Sequence, residues 1–269
     1  MHPRSDHGCP AQRGITLVEM IVVIAVTAIV GAMVAVFLRA PLQSYVDQDR
    51  RARLADAADT ALRLIARDVR RALPNSVRVY SAGGVFYLEL LVTRSGGRYR
   101  ADGGGDILDF SVADSGFDVI GPPVAVQAGD RIAVYNLGIA GADAWAGDTL
   151  AAYAGASGSM NTIVIAAKQF PLASPGQRFQ VVEGAVSYVC DPTAGTLTRY
   201  WGYAPAAAQP TVFAAGTAQA LLATGVRACR VTYQPGVTER GGLLALTLEL
   251  GRDTESVRLY ASTQVGNQP

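Results

Sequence analysis

Near its start the chain reads Gly14-Ile15-Thr16-Leu17-Val18-Glu19-Met20, and apolar residues continue from there to Leu38. Glu19 is the only charged residue between Ile15 and Leu38. A helix rises about 1.5 Å per residue, so this segment is long enough to cross the roughly 30 Å hydrocarbon core of a bilayer. The sequence therefore predicts one transmembrane helix over residues 15–38.

Glu19 is an unusual residue inside such a segment. A carboxylate within a membrane helix costs on the order of 2.5–3.5 kcal/mol, so it is a candidate functional site. The alternative is that Glu19, which lies close to the start of the segment, reaches the polar interface of the membrane.

A secretory signal peptide fits poorly, because its apolar region has about 7–15 residues and precedes a small-residue cleavage site. Here the segment is longer and ends in Phe37-Leu38-Arg39.

The residues around Gly14 resemble the type III signal of type IV prepilins and type II secretion pseudopilins. That signal is a basic leader ending in glycine, then a hydrophobic residue, then Thr-Leu-Val-Glu at the start of an apolar helix. Residues 12–19 read Gln-Arg-Gly-Ile-Thr-Leu-Val-Glu. The resemblance implies that a prepilin peptidase removes the leader, residues 1–14, by cutting after Gly14. It also implies that the same enzyme methylates the new amine of Ile15, a position at which most family members have Phe.

The resemblance implies an assembly role for Glu19, which becomes the fifth residue of the processed chain. Cleavage creates a cationic amine at Ile15, and Glu19 of one subunit would neutralise the amine of a neighbouring subunit in an apolar helix bundle. Breaking such a pair leaves a buried charge, at a cost of about 3–5 kcal/mol. We therefore expect Glu19 to set the register of subunit assembly.

The basic residues around the apolar segment disagree with the orientation that the signal implies. Two arginines precede the segment and more follow it: Arg4 and Arg13 before, and Arg39, Arg50, Arg51 and Arg53 after. The positive-inside rule then places the C-terminal side in the cytoplasm. We expect the opposite, a periplasmic C-terminal domain, because the leader must face the cytoplasm for cleavage and a large folded domain follows.

Beyond the apolar segment, the sequence predicts further helix up to residue 73. Pro41 predicts a kink or break at its start. No glycine or proline occurs between Leu42 and Leu73, and apolar residues recur there at spacings of three and four. They are Leu54, Ala58, Ala61, Leu62, Ile65, Val69 and Leu73. Pro74-Asn75 predicts the end of this N-terminal helix, and its charged residues predict a solvated face.

From residue 76 onward, alternating apolar and polar residues between turns predict strands. The predicted strands are Ser76–Ser81, Val85–Val92, Ile107–Val112, Arg131–Leu137, Thr162–Ala167, Phe179–Glu183, Val186–Asp191, Thr196–Trp201, Arg227–Tyr233, Leu243–Leu250 and Ser256–Ser262. Short glycine-containing turns favour antiparallel meanders over βαβ units. The predicted fold class is α+β, with a long pilin-like N-terminal helix packed on an antiparallel β-rich domain over residues 74–269. Residues 204–220 are predicted to form a long loop.

Several segments of the remaining chain resemble the MshO minor pilins of the mannose-sensitive haemagglutinin (MSHA) type IV pilus system. They are residues 56–62, 73–79, 135–138, 179–182 and 188–192. This resemblance extends over most of the chain and implies a minor pilin.

Removal of the leader would take Cys9 away and leave two cysteines, Cys190 and Cys229. Strand alternation places both on apolar faces. Disulfides form in oxidising compartments, which an exported domain meets, and pilins often carry such a bridge in their C-terminal region. We therefore expect a disulfide, which would close a loop of about 40 residues and stabilise the fold by roughly 4 kcal/mol. The alternative is two buried free thiols.

The composition argues against several classes of function. With 23 basic and 22 acidic residues in 269, the chain lacks the basic surplus of a general nucleic-acid binder. His2 and His7 both precede Gly14, so the processed chain has no imidazole for a Ser-His-Asp site or a His-containing zinc site. Lys168 follows Ala167 and therefore does not form a P-loop. We expect no enzyme activity, no cofactor and no metal.

Two further patterns suggest binding, each with a favoured simpler alternative. Five aspartates surround Gly103-Gly104-Gly105 and offer oxygen ligands for calcium: Asp102, Asp106, Asp109, Asp114 and Asp118. Their spacing matches no EF-hand, which favours a solvated turn. The sequence Tyr200-Trp201-Gly202-Tyr203 suggests a sugar- or surface-binding aromatic patch, although packing at a sheet edge is the favoured alternative.

Together these features predict a minor pilin-like structural protein. We expect a single-pass protein of the bacterial inner membrane that is processed and then incorporated into an extracellular pilus, at or near its tip, to prime assembly. The expected partners are prepilin peptidase, other major and minor pilins, the inner-membrane assembly platform and membrane lipid, with no nucleic acid. The alternatives are a pseudopilin of a type II secretion system and a tip adhesin on the same scaffold. A membrane-anchored periplasmic enzyme is disfavoured by the missing histidines.

Overall fold

The computed structural model describes residues 14–236, 241–253 and 255–269. The chain divides into two compact units, one that ends at Arg50 and one that extends over Arg51–Pro269. The expected leader, apart from Gly14, lies outside the described residues, and with it lie His2, His7 and Cys9.

A helix, α1, extends over Leu17–Arg70 and contributes to both units. Its stretch Leu17–Phe37 is long and apolar enough to cross a membrane. The helical backbone continues through Pro41, so the predicted break does not occur there. Proline removes only one amide hydrogen from the helical ladder, and the neighbouring residues remain helical.

The part of α1 in the second unit packs through the apolar stripe that the sequence predicts. Ala58, Ala61, Leu62, Ile65 and Val69 are all buried. They join the apolar core of the β-rich domain, which confirms that the helical periodicity marks the packed face.

The described residues form fourteen strands. They are β1 Arg78–Ala82, β2 Val85–Tyr99, β3 Asp114–Ile120, β4 Val124–Val126, β5 Arg131–Val134, β6 Leu150–Ala152, β7 Gly158–Met160, β8 Thr162–Lys168, β9 Arg178–Asp191, β10 Thr196–Tyr203, β11 Ala218–Thr224, β12 Val226–Gln234, β13 Gly242–Arg252 and β14 Glu255–Val265. The helix ends three residues before its predicted end, because the next residues bond to β2. The Leu73 N–H donates to the Leu91 carbonyl at 2.7 Å.

All pairings between these strands are antiparallel. The large sheet has the order β11-β10-β9-β2-β3-β8, with β1 beside β2, and with β5 beside β9 and β6. A three-stranded meander has the order β12-β13-β14, and β4 pairs with β7. An apolar N-terminal helix followed by antiparallel sheets confirms the predicted α+β fold class.

The β-rich domain has two principal cores. One lies between the helical residues from 58 onward, the inner face of β2, β9 and β10, and the β12-β13-β14 sheet. The other is formed by the chain between the middle of β2 and the middle of β9, and it contains several aromatic rings in contact. Phe117 and Phe179 meet edge to face there, with 5.1 Å between ring centroids. The segment between these two strands therefore packs around its own apolar centre.

Several predicted strand positions are wrong, for local reasons. Residues 107–112 form no strand, because the Asp109 carboxylate accepts hydrogen bonds from the Ser111 N–H and hydroxyl. The predicted strand 131–137 stops at Val134, since Tyr135 has a φ of 49°. The two strands predicted around Gly184 are one continuous strand, β9. The predicted loop 204–220 contains the first residues of β11.

A disulfide joins Cys190 on β9 to Cys229 on β12, with 6.5 Å between the two Cα atoms. Cys190 is buried within the core beneath α1. The bond thereby ties the large sheet to the β12-β13-β14 meander, two layers that share no ladder of hydrogen bonds. Such a link restricts the unfolded chain and so favours the folded domain.

Candidate functional site

Gly14 and Ile15 lie immediately before α1, outside regular secondary structure. Ile15 exposes 74% of its surface. Among the described residues, no atom would lie within 4 Å of a side chain added at Gly14. Peptide bonds inside α1 are held in helical hydrogen bonds, whereas the bond between Gly14 and Ile15 is open to another protein.

The first turn of α1 is capped by Thr16. The Glu19 backbone N–H donates to the Thr16 hydroxyl, with 3.3 Å between nitrogen and Oγ1. This is half of a capping box, in which Ser or Thr is followed three residues later by Glu or Gln. The negative charge of Glu19 also suits the positive end of the helix dipole. Glu19 therefore also helps to cap the start of α1, in addition to its expected role in subunit assembly. The Thr-x-x-Glu spacing in the sequence indicates this capping role.

The helix surface beyond Glu19 is apolar on every side. The side chains of Leu17–Phe37 are exposed all around the helix, and none of this stretch is buried by the other residues that the structure describes. Exposed apolar area of this extent is unfavourable in water, and its burial in lipid or among other helices recovers roughly 25 cal/mol per Å². The stretch therefore requires a membrane or neighbouring apolar helices.

Comparison with known proteins adds one match in this region. Residues 9–35 match the family model described as the prokaryotic N-terminal methylation motif. The motif is typical of type IV pilin-like proteins. It implies processing by a prepilin peptidase and assembly with other pilins, and it fits a membrane-anchored structural protein that is incorporated into a pilus. The searches of curated proteins and of solved structures gave no match.

The aspartates around residues 102–118 serve as partners for nearby backbone and side-chain groups. The Asp118 carboxylate accepts hydrogen bonds from the Asp106 N–H at 3.0 Å and the Thr162 hydroxyl at 2.8 Å. These bonds lower the pKa of Asp118. Burial and the nearby Asp114 and Asp118 raise the pKa of Asp106. Among the residues that the structure describes, no group of three or more His, Cys, Asp and Glu is placed to hold a metal ion.

The aromatic residues 200–203 do not form one flat platform. Trp201 packs against the core beneath α1, on the opposite face of β10 from Tyr200. Tyr200 is covered by the Phe213 ring, which stacks on it with 4.1 Å between centroids. The Tyr203 hydroxyl lies beside Glu89, at 2.8 Å. This arrangement supports packing at the sheet rather than a three-ring binding surface.

A buried acidic group that was not predicted from the sequence lies on α1. Asp68 is almost fully buried and receives hydrogen bonds from the Tyr188 hydroxyl at 2.7 Å and the Arg199 Nε at 2.9 Å. Burial and the negative charge of Asp68 raise the pKa of Tyr188. The sequence indicates that Asp68 lies on the packed face of α1, because residue 68 continues the three- and four-residue spacing of Ala61, Ile65 and Ala72.

A second buried acidic group lies in the large sheet. Glu89 on β2 is completely buried and accepts hydrogen bonds from the Arg78 Nε at 2.7 Å and the Tyr203 hydroxyl. Burial raises the pKa of Glu89, while the hydrogen bond from Tyr203 and the charge of Arg78 oppose that rise. The Arg78 guanidinium in turn stacks over the Trp145 ring at 3.8 Å. Both acidic clusters are enclosed and have their partners, so they stabilise the domain rather than offer a site.

Proposed function

We propose that this chain is a minor pilin-like subunit of an MSHA-type type IV pilus. Prepilin peptidase cuts between Gly14 and Ile15 and methylates the Ile15 amine. The segment 15–38 then anchors the subunit in the inner membrane, with the β-rich domain in the periplasm, until the subunit enters the filament. The methylation motif over residues 9–35, at the start of an exposed apolar helix, carries this proposal.

The large β-rich domain supports the minor role within that proposal. It carries a segment with its own aromatic core in addition to the core beneath α1. A subunit present in many copies must pack against identical neighbours along the whole filament, whereas a tip subunit has space for added segments. We therefore place this chain at or near the tip, where it primes assembly. The segments that resemble MshO support the MSHA-type assignment.

A substitution at Glu19 tests the proposed role of this residue in subunit assembly. Glu19→Gln keeps the size of the side chain and removes the charge that would neutralise the Ile15 amine of a neighbour. We expect normal processing but at least tenfold less of this subunit in purified filaments, since an unpaired buried charge costs about 3–5 kcal/mol. The measurement is the ratio of filament-bound to membrane-bound protein by quantitative immunoblotting.

The matched control separates charge pairing from helix capping. Thr16→Val removes the hydroxyl that caps the first turn but keeps the Glu19 charge. It should leave incorporation within about twofold of the unchanged protein. Equal losses for both variants would show that Glu19 acts only at the start of α1 and would refute the pairing role.

A pseudopilin of a type II secretion system is the alternative that shares the same motif. Deletion of this chain distinguishes the two systems. We expect fewer surface pili and unchanged export of folded proteins, whereas the reverse result would assign the chain to secretion.

A further inference from the structure

The longest stretch of the sequence without a charged side chain extends from Tyr200 to Val226. It contains the second half of β10, the loop that follows, and all of β11. Leu221 on β11 exposes 58% of its surface and Val212 in the loop exposes 84%. In the sequence, both residues lie far from the N-terminal motif, which does not explain their exposure.

β11 is the outermost strand of the large sheet and pairs only with β10 among the described residues. Its other edge therefore presents backbone N–H and C=O groups without a strand partner. Proteins usually protect such edges with charged residues, proline or a covering segment. The other edge strands of five or more residues each carry charge: β1 has Arg78, β8 has Lys168, β12 has Arg227 and Arg230, and β14 has Glu255 and Arg258. The sequence of β11, Ala-Gln-Ala-Leu-Leu-Ala-Thr, contains no charged residue and no proline.

A β-bulge in β11 limits the length of regular strand edge that is available for pairing. Leu197 is paired with Ala223 and Thr198 with Leu221, so Leu222 has no partner on β10. Such a bulge bends the strand locally. The regular edge is therefore Ala218–Leu221, which is enough for a short added strand.

The strand registers continue this edge into an uncharged row across the exposed face of the sheet. Tyr80, Tyr87, Val189, Thr198 and Leu221 are successive partners on β1, β2, β9, β10 and β11. An added strand would extend the row by one residue beside Leu221. Aromatic and aliphatic pairs across strands contribute roughly 0.2–1 kcal/mol each, so an apolar side chain is favoured at that position.

A cavity of about 370 Å³ lies beside β11 and offers a pocket for a side chain of the added strand. Tyr200, Val212, Phe213 and Gln219 are among its lining residues. Phe213 of the loop wall stacks on Tyr200, with 4.1 Å between ring centroids. Earlier in the same loop, Arg78 donates hydrogen bonds to the carbonyls of Ala206 and Ala207 at 2.8 and 2.7 Å. The pocket is thus preformed at the strand edge.

We propose that the free edge of β11 binds an extended, uncharged segment of another filament subunit as an additional strand, with one apolar side chain in the cavity beside Tyr200. A row of unpaired backbone groups is matched by the backbone of an extended segment, and alternate pockets select its side chains. The absence of charge between Tyr200 and Val226 leaves no group to attract an acidic or basic partner. The identity of the partner as a filament subunit rests on the proposed function.

Photo-crosslinking in cells that make the filament tests this inference with the full chain. Benzoylphenylalanine placed at Ala218, which is exposed on β11 and does not line the cavity, should form an adduct with a different protein that carries an N-terminal methylation motif, linked within an uncharged segment of that protein. Leu221→Lys should reduce the adduct at least tenfold, because a lysine at a strand edge opposes strand addition. Tyr260→Lys is the matched control, since Tyr260 is similarly exposed on the edge strand β14, and it should leave the adduct unchanged.

The outcomes separate this inference from the proposed function. The level of disulfide-bonded monomer on a non-reducing gel shows that each variant is folded. An adduct of two copies of this chain, an adduct within a charged segment, or equal adduct in Leu221→Lys would overturn strand addition. Strand addition would also be overturned if processed subunits were present in filaments but formed no adduct. An unprocessed chain that never enters filaments would overturn the proposed function and this inference together.

Discussion

Gly14→Val will leave the chain unprocessed in the membrane, with its leader attached. The N-terminal methylation motif implies a prepilin peptidase, and the family signal that the residues resemble ends its leader in glycine. Gly14 is exposed, and no atom of the described residues is placed to clash with a new side chain. A defect in Gly14→Val would therefore arise at the peptidase and not from misfolding of the substrate. Electrophoretic mobility and intact mass of the membrane-bound chain measure the effect.

Gly31→Val is the matched control for this experiment. Gly31 also has open space around its Cα, but it lies within the apolar helix, away from the cleavage site. We expect complete loss of processing in Gly14→Val and normal processing in Gly31→Val. If Gly14→Val still gave a chain of processed size, the assignment of the cleavage site after Gly14 would be wrong.

Asp68→Ala will destabilise the β-rich domain by about 3–5 kcal/mol, the cost of removing one member of a buried charge pair. Asp68 is 1% exposed, and its partner Arg199 has a side chain that is 19% exposed. Arg199 donates to Asp68 at 2.9 Å and 2.8 Å through two nitrogens. Removal of the carboxylate leaves this guanidinium and the Tyr188 hydroxyl without their acceptor, inside a layer that excludes water.

Asp59→Ala provides the comparison for Asp68→Ala on the same helix. Asp59 pairs with Arg63 at 2.6 Å, but both side chains are mostly exposed, so its loss should cost less than about 1 kcal/mol. Urea unfolding of the full chain in detergent, followed by tryptophan fluorescence, measures both. Trp201 is a suitable reporter because the Arg199 guanidinium lies 4.9 Å from its ring. Similar midpoints for the two variants would contradict a stabilising role for the Asp68 cluster.

The sequence predicted those parts of the fold that depend on local periodicity. Apolar residues repeated every three to four positions predicted the packed stripe on α1. Apolar residues repeated every two positions predicted most of the long strands of the antiparallel sheets. The three-residue strands β4, β6 and β7 were not predicted, because they are too short to show alternation. β3 was missed for another reason: it includes Asp114, Gly116 and Asp118, which interrupt its apolar pattern.

The buried acidic groups required knowledge of distant residues. Asp68 is 120 residues from Tyr188 and 131 from Arg199 in the sequence. Helical spacing indicates that Asp68 faces the core, but only the packed sheet shows which groups balance its charge. Glu89 is similar, since it is the one charged residue of the apolar strand Val85–Val92 and its partners lie on β1 and β10.

The candidate site at the N-terminus could be proposed from the sequence because its signal is local. Glycine, a hydrophobic residue, the Thr-x-x-Glu pair and the apolar helix all lie within one short stretch. The edge of β11 was not predictable in the same way. Its seven residues belong partly to a region that composition marks as a loop, and whether a strand is outermost depends on the order of the whole sheet.

Mass spectrometry of the N-terminus of the membrane-bound or filament-bound chain tests the central claim most directly. We predict that the mature chain begins at Ile15 and carries one methyl group on its amine. A chain that retains residues before Ile15, or that begins elsewhere with an unmodified amine, would contradict the assignment as a pilin-like subunit.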